Sequence, residues 1–308
     1  MDLDQTLRYL MATDETRTYN PDDIDKCIDR KASWLSGNKG NMIPKRLIFF
    51  DTETVASSTK EYVERHSLDF GWACYIVRKG QGRYTKPEWF RISNNFDFWN
   101  WIETKVYPKS KLHIYAHNLI FDTFVTQAFN SLTTRGWTLK NPIIEDPPTV
   151  LKFEKREPTR SIEMIDTMNY FPFSVKAIGE WVGIEKLDYE ESKLNREKFE
   201  IYCRRDVEII MKAVIAFHEF VNSEDLGNVR ITLASQAFSA YRHRFMNKRI
   251  FISNNEIELQ IARASYTGGR SEAFYIGKIK ETVHCVDINS MYPYMMRAHL
   301  YPTEYDTV

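Results

Sequence analysis

From Lys45 onward, the apolar positions of this chain alternate between the spacing of strands and the spacing of helices. Three runs, RLIFFDTE, FGWACYIVRKG and YTKPEWFRIS, are typical of β-strands, and the Gly-rich turn after the second run predicts a hairpin. The segment NFDFWNWIETKVY then places Phe96, Trp99 and Ile102 at helical spacing. We therefore predict a helix that packs these three side chains against a core.

The rest of the pattern continues this alternation of strands and helices. A strand, KLHIYAHN, precedes a helix, FDTFVTQAFNSLTTRG, that Gly136 closes, and two strands follow around Val150 and Ile165. A long helix is predicted over residues 195–222. This order predicts an α/β domain with a mixed sheet flanked by helices.

The domain organisation is suggested by a linker-like stretch near the amino terminus. Residues 1–44 carry no firm pattern and include SGNKGNMIPK, a stretch with several turn-forming residues. We therefore predict an amino-terminal extension over residues 1–44 and a first domain over residues 45–225. A further segment with a different character is predicted over residues 226–308.

Composition and charge narrow the classes of protein. The 308 residues include 42 Lys plus Arg and 42 Asp plus Glu, so net charge gives no argument for nucleic-acid binding, and a binder must arrange its charge locally. The four cysteines lack C-x-x-C spacing, which favours reduced thiols over disulfides or a zinc site. The acidic amino terminus and the lack of a long apolar run predict a soluble cytoplasmic protein with no membrane partner.

Two carboxylates end the first predicted strand, RLIFFDTETVAS. Alternation along a strand places Asp51 and Glu53 on the same face, whereas Thr52 faces the other way. Two neighbouring carboxylates repel each other unless a cation lies between them. A solvated acidic rim is the simpler interpretation of any single D-x-E motif.

Further carboxylates follow in two later segments. In IYAHNLIFDTFV, Asp122 falls in the first turn of a predicted helix and Asn118 falls at the preceding strand end; a helix cap and a solvated acid are the alternatives. In YCRRDVEII, Tyr202 and Asp206 are spaced i, i+4 and therefore share one helix face. There a carboxylate could bind a cation while the phenol orients a water, although an ordinary amphipathic helix has the same spacing.

Taken in order, the motifs D-x-E, N-x-x-x-F-D and Y-x-x-x-D resemble the 3'–5' proofreading exonuclease domain of family B DNA polymerases, which has a ribonuclease-H-like fold of the DEDD type. The resemblance implies that four carboxylates hold two Mg²⁺ or Mn²⁺ ions: Asp51, Glu53, Asp122 and Asp206. Mg²⁺ prefers oxygen ligands. Two such ions about 4 Å apart can stabilise both the attacking and the leaving oxygen. Tyr202 is implied to position the attacking nucleophile.

Two longer segments are similar to those of protein-primed DNA polymerases, which replicate linear phage and plasmid genomes from a terminal-protein primer. These segments are YAHNLIFD and TMNYFPFSVKAIGEWVGIEKLDY. The resemblance implies a catalytic contribution from Lys186 in EKLDY. The family commonly has a longer gap between this lysine and the aromatic residue, and a surface lysine is the alternative.

The same resemblance implies contacts with the frayed 3' end of single-stranded DNA, because aromatic side chains can stack on any base. The residues at the matching positions are Thr54, Tyr115, His117, Asn118, Phe121, Thr167 and Met168. The family usually has Ser or Thr followed by Leu where this chain has Thr167 and Met168. Core packing is the alternative for these side chains, and it is favoured for Phe121 but not for His117.

The last part of the chain resembles the start of a polymerase palm. The segment YTGGRSEAF is similar to the Y-x-G-G segment that contacts template DNA in this family, which implicates Tyr266, Gly268, Gly269 and Arg270; a plain hairpin turn is the alternative. The segment VHCVDINSMYPYMM predicts a strand that enters Asp287.

This second segment is similar to polymerase motif A, D-x-x-S-L-Y-P, with Met291 replacing Leu. The resemblance implies that Asp287 binds catalytic Mg²⁺ and that Tyr292 excludes ribonucleotides. The second catalytic Asp of a Y-x-D-T-D motif is absent, so the implied nucleotide-binding site and palm are incomplete.

The expected partners are single-stranded DNA, primer-template DNA and a terminal protein. An experimental fragment, a truncated gene product and one subunit of a split polymerase all remain open interpretations. In the last case, a separate chain would carry the rest of the polymerase and join at an unpaired palm edge around residues 283–296. The alternative function is a DNA-binding or terminal-protein-binding module with little catalysis of its own, which metal-dependent hydrolysis would distinguish.

Overall fold

The structure is a computed structural model that describes residues 32–60, 63–80, 82–145, 147–265, 272–273 and 275–300. The chain divides into two compact units between Asn254 and Asn255. The first unit contains a mixed sheet flanked by helices, as the sequence pattern predicts. Among the described residues of the second unit, two segments form helices.

The strands are named here in chain order. Within the described residues they are β1 (Ser33–Leu35), β2 (Arg46–Lys60), β3 (Val63–Gly80), β4 (Arg83–Tyr84), β5 (Glu88–Ile92), β6 (Lys111–Ala116), β7 (Thr138–Ile144), β8 (Thr149–Lys155), β9 (Arg160–Asp166) and β10 (Ile250–Ile252).

The helices follow the same convention. They are α1 (Asn95–Thr104), α2 (Leu119–Val125), α3 (Ala128–Thr134), α4 (Val175–Val182), α5 (Tyr189–Lys193), α6 (Arg196–Ser223), α7 (Leu233–Ala240), α8 (Glu256–Ser265) and α9 (Met291–Ala298), with a 3₁₀ turn at Thr167–Asn169 and a π-helical turn at Tyr241–Phe245.

The large sheet has eight strands in the order β4, β3, β2, β6, β9, β8, β7, with β5 also paired to β3. The central strands β2, β6 and β9 are parallel, and the flanking pairs are antiparallel. Two parallel neighbouring strands need a crossover connection between them. The connection from β6 to β9 includes α2 and α3. The carboxyl ends of β2, β6 and β9 therefore lie at one edge of the sheet.

Residues 47–50 of β2 are buried on both faces of the sheet, which explains this continuous apolar run. Leu47 and Phe49 pack in the cluster that contains α6, whereas Ile48 and Phe50 pack in the cluster that contains α1 and α2. Continuing this alternation, Asp51 and Glu53 belong to the α6 face. Thr52 belongs to the face of α2.

The predicted helix over residues 121–136 is two short helices. The chain turns at Gln127, whose φ of 52° is left-handed, and the Trp99 indole donates a hydrogen bond of 2.8 Å to the carbonyl of Thr126 at this break. Gly136, with φ of 80°, ends the second helix as predicted. In α1, Phe96 is 67% exposed rather than buried, because Phe98 occupies the buried face beside Trp99.

Residues outside 45–225 also contribute to the first unit. Ile43, Val229 and Ile231 pack against the α6 cluster, and β1 pairs antiparallel with β10. A three-residue strand carries too few positions to show a period in sequence. The predicted domain bounds themselves remain a prediction.

The second unit differs from the sequence prediction before Asp287. Residues 282–288 form no strand, although the apolar run VHCV predicted one. A strand needs a hydrogen-bonded partner, and none pairs with this segment among residues 272–273 and 275–300. The predicted unpaired palm edge is therefore not present in this part of the chain.

Candidate metal centre

Strand β2 places two carboxylates just after the segment that pairs with β6. Asp51 pairs with Trp72 of β3 and Glu53 pairs with Phe70, and the register shifts directly after Glu53. Both side chains are partly buried. This irregularity interrupts the β2–β3 pairing beside the carboxylates, and pairing resumes at Thr54, as is common for a bulge next to a site.

Helix α6 contributes three side chains from the facing layer. Asn195 caps its start by accepting hydrogen bonds from two backbone N–H groups. Further along, Tyr202 is 7% exposed, Cys203 is 0% exposed and Asp206 is 5% exposed. Tyr202 and Asp206 are close enough that the charge of Asp206 contributes to raising the pKa of the Tyr202 phenol, after burial, which agrees with their i, i+4 spacing.

Asp122 reaches the same edge from α2, on the other face of the sheet. Its side chain is 2% exposed, and the Thr52 hydroxyl donates a hydrogen bond of 2.5 Å to its Oδ1. Asp122 is thus a buried acid, and the alternative of a solvated first-turn carboxylate is wrong. Thr52, which lies between Asp51 and Glu53 on β2, therefore holds Asp122 in place.

Asp166, at the end of β9, fixes the start of α2. Its Oδ2 accepts from the backbone N–H of Leu119 at 2.8 Å, and its Oδ1 accepts from those of Asn118 at 3.2 Å and Met168 at 2.9 Å. Asn118 itself is left-handed, with φ of 64°, and its side chain makes no capping bond. The alternative that Asn118 is simply the helix cap therefore fails, because Asp166 performs that role.

Electrostatic repulsion dominates the centre. Burial raises the pKa of Asp51 well above its usual value, and the charges of Asp122, Asp206 and Glu53 raise it further. Burial, followed by the charge of Asp206, raises the pKa of Glu53 to about 7. Burial also raises the pKa of Asp122 to about 8. These carboxylates become fully ionised together only when positive charge joins them.

Lys186 places a positive charge in direct contact with one of these carboxylates. Its Nζ forms an ion pair with Oδ2 of Asp206 and lies 4.5 Å from the ring centre of Tyr202. Burial raises the pKa of Asp206 although the Lys186 charge opposes the shift. The alternative of a plain surface lysine is therefore wrong.

Cys203 is a member of the centre that sequence reasoning missed. Its Sγ lies 3.6 Å from Oδ2 of Asp51, and one ligand atom each from Asp51, Glu53 and Cys203 lie within 4.8 Å of one another. Its place next to Tyr202 was the only signal in the sequence.

The residues present fit a divalent cation. Oδ1 of Asp206 is buried and has no hydrogen-bond partner among the described residues. Several carboxylate oxygens face one another, and hard cations such as Mg²⁺ and Mn²⁺ take oxygen ligands of this kind. A buried polar atom without a partner is costly unless something else satisfies it.

The residues expected to hold a DNA strand surround the centre in different ways. The His117 ring lies 2.9 Å from the Thr167 hydroxyl, which in turn donates to the carbonyl of Ala116 at 3.1 Å. Burial lowers the pKa of His117. Met168 is partly buried in the adjoining 3₁₀ turn. These side chains close the β6 and β9 ends rather than project freely.

The exposure of Tyr115 and Phe121 is the reverse of what the sequence predicted. Tyr115 is 0% exposed and stacks on Phe49 with ring centres 5.4 Å apart, so the expected contact with DNA is corrected to a core role. Phe121 is 37% exposed, against the favoured interpretation of core packing. The reason is register: Tyr115 lies within β6, whereas the first turn of α2 turns Phe121 outward.

His66 of β3 is a second residue that sequence reasoning missed. Its ring lies 3.1 Å from the Thr54 hydroxyl and meets the edge of Phe121 with centres 5.8 Å apart. These three side chains form an exposed platform, named here the Phe121 platform. No motif marks His66 in the sequence.

The remaining predicted residues belong to the later part of the sequence. Tyr266, Gly268, Gly269 and Arg270 fall outside the described residues. Asp287 and Tyr292 lie in the second unit, where both side chains are exposed.

None of the helices in the described ranges is long and apolar enough to cross a membrane.

Comparisons with known proteins add a family resemblance and a fold. The family model for DNA polymerase type B, organellar and viral, matches residues 182–305. A search of curated proteins finds no match. The resemblance to family B DNA polymerases that the motifs indicate is thus confirmed over that part of the sequence.

Two solved structures of Phi29 DNA polymerase have a similar fold. One, a ternary complex with primer-template DNA and incoming nucleotide substrates, is 18% identical and covers 74% of this chain and 40% of its own, with a TM-score of 0.51. An orthorhombic crystal form is 19% identical with the same coverage and the same TM-score. The present chain spans about two fifths of the length of those polymerases.

Proposed function

We propose that this chain is the exonuclease-bearing part of a protein-primed family B DNA polymerase and that it removes nucleotides from the 3' end of single-stranded DNA. The observation that carries the proposal is the meeting of four carboxylates, from β2, α2 and α6, at one edge of the sheet. The domain would then be of the ribonuclease-H-like type. The assignment of the polymerase family rests on the family model, and the exonuclease role rests on this geometry.

The centre is suited to divalent cations. Asp51, Glu53 and Asp206 face one another from β2 and α6, and Asp122 approaches Asp51 from the other side of the sheet. Mg²⁺ or Mn²⁺, as a pair of ions, would supply Lewis-acid stabilisation of the oxygens that gain charge during phosphodiester hydrolysis. The raised pKa values of the carboxylates are those expected of ligands that ionise together only with a cation.

Tyr202 acts through its hydroxyl group in the protonated form. Burial raises the pKa of this phenol, and the charges of Asp206, Glu53 and Asp51 raise it further. A proton is therefore held on the oxygen at neutral pH. Tyr202 can orient an attacking water by hydrogen bonding, whereas it is unsuited to act as the general base.

Lys186 positions both Asp206 and Tyr202 of α6. Its ammonium group pairs with Asp206 and lies over the Tyr202 ring. The pairing leaves one carboxylate oxygen of Asp206 for the centre, namely the buried Oδ1. Lys186 also offsets part of the negative charge that would otherwise repel the DNA backbone.

The Phe121 platform is suited to a frayed strand. Its exposed ring can stack on a base regardless of sequence, which is what a proofreading site requires. Thr54 and His66 hold polar atoms beside that ring. His117 and Thr167, together with Asn118 and Met168, line the neighbouring strand ends and are proposed to contact the terminal nucleotides.

We assign the residues of the second unit to the polymerase reaction. Asp287 would bind the catalytic cation and Tyr292 would crowd the 2' hydroxyl of a ribonucleotide. The segment with Tyr266, Gly268, Gly269 and Arg270 would contact primer-template DNA. A terminal protein and a separate chain that carries the rest of a polymerase are further proposed partners.

A gel assay of 5'-labelled single-stranded DNA tests the proposal. With Mg²⁺ we expect a ladder that shortens from the 3' end, and no ladder with EDTA or with the Asp51→Ala variant. A 3'-blocked oligonucleotide of the same sequence is the matched substrate control and should stay intact. An intact labelled strand that still shifts in a native gel would contradict the exonuclease and favour the alternative of a DNA-binding module.

A further inference from the structure

We propose that Cys203 makes this centre a site for a thiophilic divalent cation, of the class of Zn²⁺ and Cd²⁺, bound by the Cys203 thiolate together with Asp51 and Glu53. The inference rests on the proposed function only in taking the centre to be a metal site. The thiol contact is independent of any reaction with DNA.

The distance between the donor atoms has the value that such a cation requires. Typical bonds of about 2.3 Å to sulfur and about 2.1 Å to oxygen, at a tetrahedral angle, separate the two donors by about 3.6 Å. Sγ of Cys203 lies 3.6 Å from Oδ2 of Asp51. An oxygen of Glu53 completes a set of three ligand atoms within 4.8 Å of one another.

A second buried oxygen lies on the same helix face. Asp206 follows Cys203 at i+3 on α6, and these positions are neighbours on a helix surface. Its Oδ1 is buried and has no hydrogen-bond partner in the described ranges, while Oδ2 is held by Lys186. A cation bound at this centre would satisfy that buried oxygen, which has no other partner among the described residues.

A comparison with Cys74 shows that burial alone does not create this arrangement. Cys74 of β3 is also 0% exposed, but its Sγ lies 3.6 Å from the sulfur of Met211. Cys203 contacts the side-chain and backbone oxygens of Asp51, each at 3.6 Å. Of these two buried thiols, only Cys203 faces carboxylates.

Ligand softness then sets the preference between cations. Sulfur adds little for Mg²⁺, which prefers oxygen, but it stabilises Zn²⁺ and its relatives strongly. Binding breaks the S–H bond, leaves the electron pair on sulfur for the metal, and releases the proton to the buffer. A thiophilic cation would occupy Asp51 and Glu53 and thereby exclude Mg²⁺, so it would arrest the nuclease.

Cd²⁺ titration of the metal-free full chain in the absence of DNA tests the inference. We expect the ultraviolet charge-transfer absorption of a cadmium thiolate, saturating at one Cd²⁺ per chain. Cys203→Ser should lose this band and weaken Cd²⁺ binding at least about tenfold, since even outer partners of metal ligands are worth that much. Cys74→Ala is the matched control and should keep both.

Two results would overturn the inference. One is an unchanged band in Cys203→Ser, and the other is Cd²⁺ binding by the unmodified chain without a thiolate band. Should Cys203→Ser fail to fold by circular dichroism, Glu53→Gln with Cys203 intact provides the second test, since loss of a carboxylate ligand must weaken the band at limiting Cd²⁺. If the chain shows the cadmium thiolate band but does not degrade DNA, the proposed nuclease activity is contradicted while the thiophilic cation site is supported.

Discussion

Two partly buried glutamates of the same sheet have pKa values that shift in opposite directions. On β2, burial and then the charge of Asp206 raise the pKa of Glu53 to about 7. On β9, burial also acts to raise the pKa of Glu163, but hydrogen bonds and charge from His113 and Lys111 outweigh it and bring the pKa to about 2. Glu163 has its partners within the fold, whereas Glu53 lies mainly among other carboxylates.

The contrast separates a structural acid from a functional one. Lys111 lies 3.0 Å from Oε1 of Glu163 and His113 lies 3.4 Å from Oε2, so this group needs nothing from outside the chain. Around Asp51 and Glu53 of β2, several acids face few positive charges, chiefly that of Lys186. Groups with strongly perturbed pKa values that lack internal partners are typical of functional sites, and the partner proposed here is a cation.

The largest effect that tests this contrast is loss of hydrolysis. Asp51→Ala should lower the rate of 3' nucleotide release at least about 100-fold, because it removes a proposed ligand and outer partners alone are worth about 10–100-fold. Glu163→Gln is the matched control, since it also removes a partly buried carboxylate of the sheet. Single-turnover release from labelled DNA would measure both. Equal losses in the two variants would show that the effect is general destabilisation.

The next effect concerns stability and its dependence on pH. Because the folded-state pKa of Glu163 is lowered from 4.5 to about 2, its ion pairs contribute fully above about pH 4.5, and the contribution disappears as the pH falls towards about 2. At neutral pH, Glu163→Gln should lower the free energy of unfolding by about 2 kcal/mol, a discounted value for a partly screened pair.

Urea unfolding at a series of pH values would measure this difference. The curves of the two proteins should converge at the acid end, because the unmodified glutamate is then protonated as well. Glu154→Gln, in an exposed pair with Lys152, should change stability far less. A difference that stays constant with pH would assign the effect to packing instead.

A smaller effect on stability and on catalytic rate is expected at Asp166, a structural acid that positions the helix of the functional acid Asp122. Asp166→Ala removes the acceptor for three backbone N–H groups, and loss of such a cap costs about 1–2 kcal/mol. Because α2 carries Asp122, we also expect a lower catalytic rate. Ser174→Ala removes the cap of α4 and should lower stability without that change in rate. Equal catalytic rates for both variants would mean that Asp166 does not position α2 for catalysis.

Sequence patterns predicted the parts of the fold that follow a long period. The run at β2 and the 28-residue α6 are examples, because burial of whole faces determines them. The break at Gln127 was missed, since the hydrogen bond that stabilises it comes from Trp99, which is distant in sequence. The pairing of β1 with β10 was missed for the same reason, because it joins residues far apart along the chain.

The candidate site shows the same division. Strand alternation placed Asp51 beside Glu53, and helical spacing placed Tyr202 beside Asp206, whereas only the resemblance to a known family implied that the two pairs meet. These patterns could not show that Cys203 faces Asp51 or that His66 meets Phe121, because these contacts depend on how α6 and β3 pack. Asp166 did carry a signal, since, like Asp51, it is a carboxylate that directly follows a strand-like apolar run in the sequence.

The smallest effect would measure the repulsion itself. Since the pKa of Asp51 in the folded chain is raised, the folded form binds more protons than the unfolded form, and stability falls as the pH rises above 3.8. In EDTA at neutral pH, Asp51→Asn should therefore raise the free energy of unfolding on the order of 1 kcal/mol, which is about the value of one pKa unit. Mn²⁺ should stabilise the unmodified chain and have little effect on the variant. Thermal unfolding with EDTA and with Mn²⁺ would measure both, and a variant less stable than the unmodified chain in EDTA would mean that Asp51 is already paired within the fold, as Glu163 is.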